Sequence, residues 1–83
     1  ELWIDAKNAP YVITKPLHNS QRVIKENDDG SIIIHLFIIH NYELERILLG
    51  FGDSLEVLRP ENLRERIKAI FQKGMLRYET TKT

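Results

Sequence analysis

The isoleucine-rich run from Ile32 to Ile39, interrupted by His35, constrains this chain more than any other feature. In an extended chain Ile32, Ile34, Leu36 and Ile38 share one face, and Ile33, Phe37 and Ile39 share the other. Branched side chains at both parities favour a strand, and a strand apolar on both sides is central and covered twice, or lies in an interface. Gln21 to Glu26 alternates before it, and Asn27-Asp28-Asp29-Gly30 supplies residues that tolerate positive φ. Ser31 to His40 is therefore the expected returning strand of a hairpin. The run is far shorter than the roughly 20 residues that span a bilayer, so no membrane partner is expected.

The flanking segments supply the other elements. Leu2, Ile4 and Ala6 alternate with Trp3, Asp5 and Lys7, which predicts a half-buried opening strand. Asn8 stands where a helix cap belongs, Pro10 fits the first turn, Ala9, Val12 and Ile13 share a face, and Pro16 stops the helix. Asn41 caps a second helix, with Glu43 and Glu45 in its first turns and Leu44, Ile47, Leu48 and Phe51 at helical spacing. Gly50 and Gly52 offer left-handed geometry to end it, and Leu55 to Leu58 follows as a short strand. Pro60 suits the first position of a last helix, in which Leu63, Ile67, Ile70, Phe71, Met75 and Tyr78 form one stripe, weakened only by Gly74.

Strand, helix, strand, strand, helix, strand, helix predicts an α+β fold, a ferredoxin-like split β-α-β sandwich (βαββαβ) with an additional C-terminal helix. That helix is free to cover the second sheet face or to dock elsewhere. Residues 1–83 read as a single domain with no linker or repeat, and only Glu79 to Thr83 as a frayed tail. A chain of this length buries roughly 60–65% of its unfolded surface, enough for one core. Without cysteine it has neither disulfide nor thiolate, which fits a cytoplasmic protein. It opens directly on a strand without an initiating methionine, so a fragment of a longer protein is expected.

Charge and chemistry restrict the function. Twelve basic and twelve acidic residues cancel, removing the overall field that draws proteins onto nucleic acid. From Arg59 to Lys82 the balance is uneven, with seven basic residues against Glu61, Glu65 and Glu79; this suits an acidic partner or phosphate, but more often marks the wet face of an amphipathic helix, with Glu61-Glu65 and Arg64-Lys68 at ordinary spacing for pairing. His35 and His40 are five apart on one expected strand and point to opposite faces, so with His18 they make no metal site. Asp28 and Asp29 read as a solvated turn rather than an acid–base pair. Ser20 has His18 two positions away but no evident third group to orient a base. The glycines of Gly50-Phe51-Gly52 follow a helix, whereas phosphate loops precede one. RNA binding on the sheet would need stacked aromatics where this chain carries isoleucine. An acylphosphatase-like enzyme would need a glycine and an arginine after the first strand, where Asp5-Ala6-Lys7-Asn8-Ala9-Pro10 has neither. No catalytic residue, cofactor or metal is expected.

Several segments together carry a family resemblance. Leu17-His18-Asn19-Ser20-Gln21, Asp29-Gly30-Ser31, Tyr42-Glu43-Leu44-Glu45, Ile47 through Gly52, Glu56-Val57-Leu58 and Pro60-Glu61-Asn62-Leu63-Arg64 resemble the C-terminal extension (WCX) domain of WYL-domain transcription regulators. Ala9-Pro10-Tyr11-Val12 also looks like the family's first helix. The resemblance covers nearly the whole chain and implies the C-terminal extension of a larger bacterial regulator, in which a winged helix-turn-helix binds DNA and a WYL domain senses a ligand. The implied role is dimerisation and transmission of the sensing state. The implied partners are a second copy and the parent chain's WYL domain, with DNA reached only through an upstream helix-turn-helix. The alternative is a small-molecule effector sensor. His18, Ser20 and Gln21 are the candidates for ligand binding or for structuring their loop through backbone hydrogen bonds. Apolar surface in excess of what so small a sandwich hides supports an interaction role independently.

Overall fold

The structure, a computed structural model, describes residues 1–80. Its elements are β1 (Leu2–Ile4), α1 (Ala9–Thr14), β2 (Arg22–Glu26), β3 (Ile32–His35), α2 (Tyr42–Gly50), a 3-10 turn at Gly52–Ser54, β4 (Leu55–Val57) and α3 (Glu61–Glu79). The fold is α+β. The four strands run in the order β2-β3-β1-β4, every neighbouring pair antiparallel, so each β-α-β half is split by a strand of the other.

The register explains the core. Leu2 faces Ile34 and Val57 across the two ladders, and Ile4 faces Ile32 and Leu55. These side chains form one apolar layer, and Ala9, Val12, Leu44, Leu48, Leu63 and Ile67 from the three helices complete a single cluster with it. On the opposite face the row Lys25, Ile33, Trp3, Glu56 crosses all four strands. Trp3 and Ile33 there are half-buried and the two charged residues are exposed. The strand expected to be covered twice is thus central but covered once.

Two further expectations, on the end of this run and on the glycines, are corrected. β3 ends at His35, not His40, because its partners run out: β1 begins with Leu2 opposite Ile34, and β2 begins with Arg22 opposite His35. Beyond that point the backbone has no ladder to join, whatever its propensity. Among the glycines, only Gly30 (φ 91°) and Gly52 (φ 58°) are left-handed, and Gly50 is the last residue of α2. Gly30 also lies against β1's continuation, since a Cβ there would sit 3.1 Å from the Ala6 Cβ. Ser31, next to it, is buried yet satisfied by Asp29 and Asn27.

Helix termini follow local chemistry with two variations. The Asn41 Oδ1 accepts from the Leu44 N–H at 2.8 Å, the expected cap of α2. Asn8 occupies the N-cap of α1 without capping it; its backbone and side-chain N–H groups both donate to Asp5 Oδ1, at 2.9 and 3.0 Å. Pro60 is the N-cap residue of α3 rather than its first helical residue. α3 docks beside α2 and β4 through Leu63 and Ile67, leaving the second sheet face uncovered. It is 19 residues long, about 28 Å, and its second half runs past the core. The radius of gyration of 14.0 Å exceeds the ~12 Å of a compact chain of this length for that reason. Glu79 is helical, and the rest of the expected tail at 81–83 lies outside the described residues.

Because Ile34 is fully buried in the middle of the apolar layer, Ile34→Ala is expected to lower unfolding free energy by about 2–5 kcal/mol in urea titrations. Ile24→Thr, at an exposed position on β2, is expected to change it by about 0.5 kcal/mol or less.

Candidate functional site

The loop between α1 and β2 is held by its own polar side chains. The Gln21 Oε1 accepts from the Leu17 N–H at 2.9 Å, while its Nε2 donates to the Val12 carbonyl at 3.0 Å, tying the loop to the end of α1. The His18 Nδ1 accepts from the Ser20 N–H at 3.1 Å, which places the ring proton on Nε2. The Ser20 hydroxyl then donates to the same Nδ1 at 2.7 Å and accepts the Phe37 N–H at 2.9 Å. His18, Ser20 and Gln21 are therefore brought together, all three half-buried, and most of their hydrogen-bonding capacity is committed to one another and to backbone. The His18 Nε2 has no hydrogen-bond partner among the described residues, and no carboxylate bonds this ring there.

The Ser20–Phe37 bond connects this loop to the second one. With β3 ended at His35, residues 36–41 cross from the sheet to α2 without regular structure. They expose Phe37 at 83% and Ile39 at 81%, and Tyr42 at the start of α2 at 69%. Leu36 is half-buried against the core and anchors the near end. At the far end the His40 Nε2 donates to Glu45 Oε2 at 2.6 Å, and both Glu45 oxygens accept from Arg66 Nε at 3.3 Å. Arg46 covers Tyr42, its guanidinium 5.7 Å from the ring centroid, and donates to the hydroxyl at 3.2 Å. The outcome is an apolar ridge standing in water on backbone fixed at both ends, with His18 beside it. His18, Leu36, Phe37, Ile38, Ile39 and Asn41 line one shallow groove along the ridge.

Other candidates stay apart. His35 ends β3, whereas His40 belongs to the loop and pairs with Glu45, so the expected arrangement of both on one strand does not hold. Among the described residues no three His, Asp or Glu side chains are grouped as metal ligands. Asp29 is bonded to the Ser31 hydroxyl and N–H, which lowers its pKa, and Asp28 is exposed. The ridge, its anchors and the split sheet all fall within residues 1–75, the span matched by the family model of the WCX domain. The chain belongs to the WCX family. Comparison with curated proteins gives no match. Membership ties this WCX domain to the context of WYL-domain transcription regulators.

Sequence reasoning missed the ionic anchor of this WCX domain. Glu45 reads as a helix N-terminal carboxylate, yet it is buried at 8% exposure and joins the ridge to α3. The one available signal is its spacing from His40, and the link to Arg66, 21 residues on, is purely tertiary. Arg64 is similar: it bonds Glu56 and the Val57 carbonyl, closing part of the free edge of β4.

Removing the Gln21 amide leaves the Leu17 N–H and Val12 C=O without partners, so Gln21→Ala is expected to cost about 1–3 kcal/mol in chemical denaturation. The Glu45 carboxyl is held below its ordinary value of 4.5, chiefly by the hydrogen bond from His40, with burial opposing and the Arg66 charge assisting. A carboxylate lowered in the folded state adds stability that is fully present above its unfolded pKa and is lost as pH falls through the folded one. Stability is therefore expected to decline as pH drops below about 4.5, and Glu45→Gln to flatten that decline, read as the urea midpoint against pH.

Proposed function

We propose that this WCX domain is a non-catalytic dimerisation and regulatory module of a bacterial, cytoplasmic WYL-domain transcription regulator, meeting DNA only through an upstream helix-turn-helix. The split, interleaved strand order supports reading the sandwich as ferredoxin-like, and the function rests on its exposed surface rather than on the fold. The observation that carries the proposal is the ridge. Residues 36–42 contain no Asp, Glu, Lys or Arg and expose Phe37, Ile39 and Tyr42. Interface cores are depleted of charge and rich in aromatics, and an uncharged patch suits the self-complementary contact of a two-fold dimer. His18, Ser20 and Gln21 then serve as positioning residues that hold the ridge's backbone. The parent's WYL domain is the second partner of this surface.

The groove beside His18 favours one other reading, a small-molecule effector site, in which the His18 Nε2 supplies the polar contact and the ridge the apolar wall.

Sedimentation equilibrium is expected to show a concentration-dependent dimer that Phe37→Ser with Ile39→Ser converts to monomer while leaving the far-ultraviolet circular dichroism spectrum unchanged, the thermal midpoint falling only at concentrations where the wild type is dimeric. A strict monomer, together with a parent regulator that still dimerises and responds to its effector after both changes, would exclude the proposal. Should His18→Ala abolish the effector response without altering the dimer, the sensor reading replaces it.

A further inference from the structure

The apolar stripe of α3 changes character along its length. Leu63 and Ile67 are buried in the core, but Phe71, Met75 and Tyr78 continue the same stripe at 41%, 56% and 93% exposure. Gly74 sits within that stretch with open space where a Cβ would be, so another helix can approach its backbone closely. Between this half of α3 and the free edge strand β4 runs a groove of about 320 Å³, walled by Leu55, Val57, Ile67, Phe71 and Met75.

Charge identifies what fits. Arg64 is paired with Glu56 and Arg66 with Glu45. Beyond them, from Lys68 to Glu79, stand Lys68, Lys73 and Arg77 against the one carboxylate of Glu79, a net charge of 3 − 1 = +2. Among the described residues none of these three cations has a salt-bridge partner. At 100° per residue Lys68 borders the stripe on one side, with Arg77 and, further round, Lys73 on the other. A second copy of this stretch carries the same net charge of +2, so self-pairing of this face is disfavoured. Nucleic acid would leave the apolar stripe without a partner.

We propose that the second half of α3 and the groove beside β4 dock an amphipathic helix of a partner protein, its apolar side chains seated over Phe71, Gly74 and Met75 and its flanking Asp and Glu meeting Lys68, Lys73 and Arg77. This surface is separate from the ridge and does not depend on the dimerisation reading. The mode is helix-in-groove recognition, in which the stripe supplies affinity and the cations supply orientation and partner choice.

The test uses two synthetic helical peptides of about 16 residues with the same leucine stripe, one flanked by glutamates and one by lysines. Their binding to the whole chain is read by fluorescence anisotropy at two salt concentrations. The glutamate peptide is expected to bind and the lysine peptide not. Lys68→Glu with Lys73→Glu and Arg77→Glu is expected to invert that preference. Phe71→Ser with Met75→Ser, at exposed positions, is expected to weaken binding by about tenfold or more with circular dichroism unchanged. Gly74→Leu, which fills the crossing point with a good helix former, is expected to do the same. Equal binding of both peptides, binding indifferent to Phe71, Gly74 and Met75, or tighter binding to a single-stranded oligonucleotide or to phosphatidylglycerol vesicles would overturn the proposal.

Discussion

Everything in this domain rests on the layer that Leu2 and Ile4 make with Ile32, Ile34, Leu55 and Val57. Pairing alternates with a period of two, so a slip of one residue would put Trp3, Ile33 and Glu56 inward and the apolar set into water. The glutamate makes that register costly, and the register in turn fixes where the helices sit, because each of the three buries its apolar residues against this one layer. β1 is only three residues long, yet as the inner strand between β3 and β4 it is the piece without which neither ladder closes.

The position of the exposed ridge follows from that layer. Strand pairing stops where β1 and β2 begin, so the remaining isoleucines and Phe37 are released from the sheet. A released apolar loop would ordinarily collapse onto the core. Here Ser20 holds the Phe37 N–H, Leu36 packs inward, and His40 is bonded to a buried glutamate that is itself bonded to Arg66. Hydrogen bonds set the backbone and leave the side chains outward, an arrangement that stabilises presentation rather than burial. Burying Glu45 is tolerable because its two oxygens are satisfied by one imidazole and one guanidinium.

α3 shows the same division within a single element. Its first half is core and its second half is an unpartnered face, although the apolar spacing is the same throughout. Nothing in helical periodicity marks where the protein beneath a stripe ends. The charges record it indirectly: Arg64 and Arg66, over the body, have carboxylates opposite them, whereas Lys68, Lys73 and Arg77 do not.

Local chemistry was legible in the sequence. Asn41 capping α2, the hairpin turn through Gly30, the left-handed Gly52, the three helices and the strands all depend on residues within a few positions of one another, as does the motif pattern that resembled the WCX family. His18, Ser20 and Gln21 could be named from their motif and their local bonding, though their grip on Phe37 could not. The end of β3 at His35, the single covered face of the sheet, the Glu45 link to Arg66 and the bare half of α3 were decided by tertiary structure alone. Each depends on where a distant strand begins or a neighbouring element stops, and a side chain's own identity and spacing carry no record of that.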